Sequence, residues 1–227
     1  MSKHLQRDLE KLQRQLLALS SSVEEMINKA CRALLHKQSD LAEQVVRSDN
    51  TIDQQEVLIE EECLKILALH QPVAIDLRRT ATAMKVNNDL ERIADLAVNI
   101  AERALCLAVH PELDIPTNLH QMAELATAMV RDALDSLVRL DVQLARQVCS
   151  RDERVDAFNR DVIDDLRGEM HSRPETIEAA LHLFSAARHI ERIADHATNI
   201  AEDVIYLVEG EIARHRHDAP DSSTPVR

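Results

Sequence analysis

The sequence predicts an all-α protein built as two tandem antiparallel three-helix bundles that are related by internal duplication. The segment ERIADLAVNIAE begins at Glu91 and returns as ERIADHATNIAE from Glu191, identical at ten of twelve positions. Aromatic residues make up 1% of the 227 residues, and the chain has 2 glycines. Sheets favour aromatic and β-branched residues and need glycines in their turns, so this composition indicates helices.

Breaks in the helical periodicity divide the chain into six long helices. The breaks fall at residues 38–40, 71–72, 110–118, 140–141 and 173–174. Ser39 and Thr117 stand where N-caps are expected, and Pro72 and Pro174 stand where a first-turn proline is tolerated. We expect the first bundle to cover residues 1–109 and the second to cover residues 115–212. Residues 213–227 are rich in Pro, Ser and Asp, which predicts a disordered tail.

The charge and the cysteine pattern exclude several classes of function. A formal net charge of −13 argues against binding to a nucleic acid backbone. The 4 cysteines form no C-x-x-C pair, so neither a disulfide framework nor a zinc cluster is indicated, and a reduced cytoplasmic location is expected. The longest apolar stretches are far shorter than the roughly 20 residues of a spanning helix, so any membrane association should be peripheral.

Carboxylates recur at helical spacing on the second and third helices of the first unit. Those of the second helix fall within a stripe about 60° wide, and those of the third helix follow the same spacing. A hairpin turn at residues 71–72 would set the acidic pair of one helix level with the pair of the other. The candidate metal ligands of this unit are Asp49, Asp53, Glu56, Glu60, Glu91, Asp95, Asn99 and Glu102.

The second unit repeats this arrangement in a weaker form. A hairpin at residues 173–174 again brings two acidic pairs to the same level, but Asn159 and Ile163 replace two of the carboxylates. Arg188 lies at the edge of the stripe, where a salt bridge could satisfy part of the site. The candidate ligands here are Asp152, Asp156, Asn159, Glu191, Asp195, Asn199 and Glu202.

The acidic stripes need a compensating positive charge. Ile52, Val57 and Ile59 border the first stripe, so we expect it to face the bundle, and no Lys or Arg of its helices is expected on it. Two carboxylates about 5 to 6 Å apart repel by about 3 kcal/mol at an effective dielectric near 20. Protons or a multivalent cation must offset this repulsion. Oxygen ligands favour magnesium, manganese or iron, and zinc is a further candidate. His196 lies about 140° from its stripe and is expected to be an ordinary packed or surface histidine.

The chain resembles the PhoU family, which comprises accessory proteins of phosphate-specific transport. The matching segments are QPVAIDLR from Gln71, NDLERIADLAVNIAE from Asn88 and ARHIERIADHATNIAE, which ends at Glu202. The resemblance implies two three-helix bundles whose repeated E/D-x-x-x-D motifs hold metal clusters on their surface. The family often has glycine where this chain has Ala94 and Ala194.

The resemblance also implies a role. Members restrain phosphate uptake and the phosphate-starvation response, usually as homodimers at the cytoplasmic face of the membrane. They act between the phosphate ABC transporter, whose ATPase subunit is an expected partner, and the sensor histidine kinase. We therefore expect a metal-binding negative regulator and no enzymatic activity.

Two other classes of protein remain open from the residues alone. One is a carboxylate-bridged di-metal enzyme built in a helical bundle. Oxidases of this kind commonly carry Glu-x-x-His, and no His stands three residues after Glu91 or Glu191. The other is a metal-free helical adaptor, which would leave the duplicated carboxylates without a purpose.

Overall fold

The fold consists of helices joined by short turns, and the computed structural model describes residues 3–110 and 113–210. No strand occurs within those residues, and none of their helices is long and apolar enough to cross a membrane. The predicted tail of residues 213–227 lies outside the described residues. The helices are α1 (Lys3–His36), α2 (Ser39–His70), α3 (Ala74–Leu107), α4 (Thr117–Arg139), α5 (Val142–Cys149), α6 (Asp152–Ser172) and α7 (Ile177–Glu209), with a 3₁₀ turn at Pro174–Thr176.

Each unit buries one apolar face of every helix in a bundle core. In the first unit α1, α2 and α3 pack against one another. In the second unit α4 and α7 pack against each other, and α5 and α6 each pack against both of them. Ile52 and Ile59 of α2 and Leu90 of α3 are at most 3% exposed, which fixes the rotation of both helices. The carboxylates that flank these core residues on α2 and α3 are therefore brought to the groove between the two helices.

The second unit differs from the expected three continuous helices. Its middle helix is interrupted at Ser150 and Arg151, so α5 ends at Cys149 and α6 begins at Asp152. Asp152 thus lies in the first turn of α6, where the helix dipole favours a negative charge. Its counterpart Asp49 lies in the interior of the continuous helix α2.

The expected N-caps are each displaced by one residue. Ser39 and Thr117 are the first residues of α2 and α4, and Gln38 and Pro116 occupy the cap positions without a side-chain hydrogen bond. Pro72 precedes α3 and lies outside its first turn. Predictions of helix ends are commonly displaced by one or two residues, because fraying and cap geometry depend on local contacts.

The two bundles pack side by side through α3 and α7, which form the most extensive helix pair in the described structure. Lys85 Nζ donates to Asp203 Oδ1 at 2.8 Å, and Asn199 Nδ2 donates to Asp89 Oδ1 at 3.4 Å. These pairs show that α3 and α7 run antiparallel. Counting forward along α3 from Asp89 and backward along α7 from Asn199 places Ala94 level with Ala194. Both alanines are at most 1% exposed. The duplicated motif therefore lies at the crossing of the two helices.

Candidate metal centre

The candidate ligands line two surface grooves. The first acidic groove lies between α2 and α3, and the second acidic groove lies between α6 and α7. The half-buried members are Asp49, Glu56, Glu91, Asp95, Asn99, Asp152, Asp156, Glu191, Asn199 and Glu202, the exposed ones are Asp53, Glu60, Glu102 and Asp195, and Asn159 is buried. The expectation that the stripe faces the bundle interior was wrong, because larger apolar residues fill the core and leave the carboxylates at its edge.

Like charges act on one another across the first acidic groove. Partial burial raises the pKa of Asp49, and the neighbouring charges of Asp53 and Asp95 raise it further. The pKa of Glu91 is also raised, by partial burial and then by Asp95, with a smaller contribution from Glu56. Together with the hydrogen bond from Asn87 of α3 to Glu56 of α2, these contacts set the acidic pairs of the two helices level with each other, as the hairpin register predicts.

A basic side chain reaches the first acidic groove, contrary to the sequence-based expectation. Arg92 Nε lies 3.3 Å from Glu91 Oε2, and Arg92 Nη1 lies 3.6 Å from Asp95 Oδ2. The side chain approaches from the flank, since Arg92 is the residue next to Glu91 and its long stem lets the guanidinium turn back. It offsets part of the negative charge on the α3 side, and Asp49 and Asp53 of α2 have no ion-pair partner among the described residues.

Asn87 is a member of the first acidic groove that the sequence analysis did not identify. Its Nδ2 donates to the Glu56 main-chain oxygen and to Glu56 Oε1, both at 3.0 Å, and the residue is 2% exposed. The sequence carried a signal for it, because a polar residue one helical turn before Glu91 lies on the same face of α3. Asn87 fixes the position of Glu56 and joins α2 to α3.

The second acidic groove is partly satisfied by its own residues. Arg188 Nη1 lies 2.6 Å from Glu191 Oε2, and Asn159 Nδ2 donates to Glu191 Oε1 at 2.9 Å. This confirms the salt bridge expected from the position of Arg188. Thr198 Oγ1 donates to Asp152 Oδ1 at 3.4 Å. The second groove therefore has fewer uncommitted carboxylate oxygens than the first.

Asp195 has the largest resolved shift among the candidate ligands. Partial withdrawal of its carboxylate from water raises the pKa to about 6, and the charges of Asp152, Glu191 and Asp156 add to the shift. Because the residue as a whole remains exposed, solvent screens part of this effect. A cation in the second groove would therefore compete with a proton on this group at pH values of about 6 and below.

Three candidates already have hydrogen-bond or ion-pair partners of their own. Asn99 Nδ2 donates to the Asp95 main-chain oxygen at 2.9 Å, and Asn199 makes its bond to Asp89 between the bundles. Glu102 Oε2 lies 3.4 Å from Arg103 Nη2. His196 Nδ1 lies 2.8 Å from Asp89 Oδ1, so this histidine is a contact between bundles, in line with the expectation that it is an ordinary packed side chain.

The donor set fits a hard or borderline cation. Asp49 Oδ1 and Asn159 Oδ1 are buried acceptor atoms with no hydrogen-bond donor among the described residues. Such atoms are costly unless a donor or a cation meets them. As the side chains stand, however, no three Asp, Glu, His or Cys groups within residues 3–110 and 113–210 converge to hold an ion. Binding would therefore require the carboxylates to rotate towards a shared centre.

Comparisons with known proteins place the chain in a family. The family model described as the PhoU domain matches twice, over residues 16–104 and 119–204. The PhoU homologue of Aquifex aeolicus, named a phosphate-specific transport system accessory protein, is 43% identical over 93% of this chain and 96% of its own length. The corresponding homologue of Pseudomonas putida is 40% identical over 95% of this chain and 84% of its length.

Two crystal structures share the whole fold. PhoU from Pseudomonas aeruginosa aligns with a TM-score of 0.88 and 40% identity over 91% of this chain and 99% of that one. The phosphate transport system regulatory protein PhoU from Streptococcus pneumoniae aligns with a TM-score of 0.85 and 31% identity, covering 92% of this chain and 98% of that one. Sequence and fold agree over both halves of the duplication, and the chain belongs to the PhoU family.

Proposed function

We propose that the protein is a metal-binding negative regulator of phosphate uptake and of phosphate-starvation signalling. It would act in the cytoplasm, as a homodimer, between a phosphate ABC transporter and a sensor histidine kinase. The observation that carries the metal part is the repetition of level acidic pairs in two hairpins of one duplicated chain. The regulatory part is supported by relatives named as accessory proteins of phosphate-specific transport.

The cation would bind in the two oxygen-rich grooves. In the first groove the carboxylates of the α2 stripe, Glu91 and Asp95 would supply the ligands. In the second groove Asp152, Asp156, Glu191 and Asp195 would do so. Manganese, iron, magnesium or zinc would offset the repulsion among these carboxylates. The cation would join α2 to α3 and α6 to α7, and its binding energy would add to the stability of each hairpin.

The regulatory role is tested in cells. Deleting the gene should leave a starvation-induced phosphatase switched on in abundant phosphate, because the restraint on the response is lost. The parent strain should keep the phosphatase repressed, and a plasmid copy of the wild-type gene should restore repression. A deletion strain that stays repressed, with no paralogue to compensate, would show that the chain has the family's fold without this role.

A second set of strains tests whether the acidic grooves matter for regulation. Restoring the deletion with a variant carrying Asp53→Asn and Asp95→Asn should fail to repress the phosphatase if the cation is part of the mechanism. A metal-free adaptor would repress equally well with this variant, provided that the variant accumulates to the wild-type level. The comparison therefore separates the proposed function from the adaptor class.

A further inference from the structure

Helix α2 carries exposed apolar residues on the side that faces away from the bundle. Val57 is 48% exposed, Leu58 is 54% exposed and Leu64 is 50% exposed. Val57, Glu61 and Leu64 lie within about 60° of one another around the helix, and Leu58 lies about 60° beyond Glu61. We call these four residues the outer face of α2. They lie next to Asp53 and Glu60 at the rim of the first acidic groove.

The internal duplication provides a matched comparison for this surface. Aligning Asp49 with Asp152 and Asp53 with Asp156 sets Val57 opposite Arg160, Leu58 opposite Asp161 and Leu64 opposite Arg167. All three counterparts are exposed on α6. The same position in the same fold therefore tolerates charged residues. The apolar character of the outer face of α2 is not required to build the bundle, so it calls for a separate explanation.

The negative charges around the outer face of α2 favour a partner that carries positive charge. Asp53, Glu60 and Glu61 are exposed and have no ion-pair partner among the described residues. The basic residues on this side of α2 are already paired, since Lys65 lies 3.0 Å from Glu62 and Arg47 lies 2.6 Å from Glu43. A second copy of the chain would bring like charges together here, and an anionic membrane surface would be repelled for the same reason.

From this charge pattern we infer that the outer face of α2 binds a basic amphipathic helix of a partner protein. The apolar side of that helix would cover Val57 and Leu64, and its Lys or Arg residues would lie over Glu61 and the rim of the first acidic groove. This inference rests on the proposed function and specifies how the regulator recognises a protein partner. Binding is confined to the first unit, because the duplicated helix α6 presents Arg160 and Arg167 instead.

A model peptide tests the surface directly. The probe is a fluorescein-labelled helix of about 18 residues, or about five turns, with Leu on one side and Lys on the other. Its binding to the full chain is followed by fluorescence anisotropy. Replacing Val57→Arg and Leu64→Arg, which installs the residues of α6, should weaken binding by at least about tenfold. The substitution Glu61→Gln should weaken it by about threefold and reduce its dependence on salt.

Two controls make the result specific. Val138→Arg and Leu181→Arg introduce the same change at residues 45% and 54% exposed outside the outer face, and binding should stay within about twofold of wild type. A peptide with Glu in place of Lys should not bind. Equal losses in the control variants, or equal binding of the Glu peptide, would overturn the inference. Sedimentation showing that wild type self-associates and the Val57→Arg, Leu64→Arg variant does not would also overturn it, in favour of a second copy.

The same variant separates this inference from the proposed function. In cells the Val57→Arg, Leu64→Arg variant should fail to repress the phosphatase while retaining wild-type metal content. Full repression by this variant would overturn the inference and leave the proposed function standing. A complete gene deletion that stays repressed would instead overturn the proposed function, whatever the result with the peptide.

Discussion

At the scale of single residues, the two acidic grooves differ in how much positive charge the chain itself supplies. Glu191 accepts from both Arg188 and Asn159, whereas Glu56 is held by the neutral Asn87. The presence of Arg188 near the second stripe was visible in the sequence. The approach of Arg92 to Glu91 and Asp95 was not visible in the sequence. The backbone of Arg92 lies outside the acidic stripe, but its long flexible side chain reaches the carboxylates.

Removing Arg188 should strengthen cation binding in the second groove. The Arg188→Gln variant frees one oxygen of Glu191 and removes a positive charge that repels the ion. We expect a gain on the order of 1 kcal/mol, or about fivefold in Mn²⁺ affinity. Calorimetric titration of metal-free protein measures it. Arg167→Gln, which removes an exposed arginine paired with Asp164 on the outer side of α6, is the control and should leave the affinity unchanged.

The raised pKa of Asp195 predicts a specific dependence of stability on pH in the metal-free protein. The pKa is about 6 in the folded chain and 3.8 in the reference state, so the folded protein holds this proton more tightly. Its stabilising contribution is complete below pH 3.8 and is lost as the pH rises through about 6. In chelator, the thermal midpoint of Asp195→Asn should therefore rise relative to that of wild type as the pH increases from 5 to 7.5.

A bound cation should make wild type more stable than Asp195→Asn at pH 7.5. In saturating Mn²⁺ the wild type should melt above Asp195→Asn at pH 7.5, because the carboxylate then binds an ion that the amide holds weakly. An identical difference between the two proteins at both pH values, with and without metal, would mean that Asp195 is a solvated surface residue.

At the scale of helices, the sequence was sufficient to locate most elements. Five predicted breaks coincide with turns of the structure to within a few residues, because proline, cap residues and lost periodicity act locally. The additional break between α5 and α6 was missed. The residues around Ser150 include neither glycine nor proline, so no local signal marks it. Arg151 Nη1 reaches Asp132 Oδ2 on α4 at 2.5 Å, a contact distant in sequence.

The crossing of α3 and α7 also depends on contacts that periodicity does not reveal. Ala94 and Ala194 are small enough to let the two helices approach, and both are buried. Replacing Ala94→Leu should overpack this crossing and lower the free energy of unfolding by about 1–3 kcal/mol. Ala68→Leu on the exposed side of α2 is the matched control and should change it by less than about 0.5 kcal/mol.

Chemical denaturation followed by circular dichroism measures both variants. Equal stability of Ala94→Leu and wild type would show that the crossing has room for a larger side chain. The register of α3 and α7 inferred from Asp89 and Lys85 would then need another support.

At the scale of the whole molecule, the duplication made the fold predictable and limited what could be said about the sites. The repeat near Glu91 and Glu191 identified the two bundles and the level of the acidic pairs. It did not show how the bundles pack, since Asp89 and His196 meet across 107 residues of sequence. The burial of the acidic stripe was also misjudged. A helical wheel gives the angle of each residue around the helix, but it does not show that large core residues keep the neighbouring carboxylates at the surface.

The two units also carry different surfaces on the same frame. The first unit has the fuller set of carboxylates and the apolar outer face of α2. The second unit has a groove that its own residues partly satisfy, and a charged outer side of α6. A duplicated fold can thus retain one architecture while its halves serve different contacts. Metal would stabilise both hairpins, so chelation should lower the thermal midpoint of wild type by more than that of a variant lacking the first groove.

Metal content tests the central claim most directly, namely that the acidic grooves hold multivalent cations. Elemental analysis of protein purified without chelator or affinity-tag metal should find more than about one ion per chain. Asp53→Asn with Asp95→Asn should lose the ions of the first groove and keep those of the second. Protein that contains no metal, even after incubation with Mn²⁺ or Fe²⁺, would contradict the claim and leave a metal-free helical adaptor.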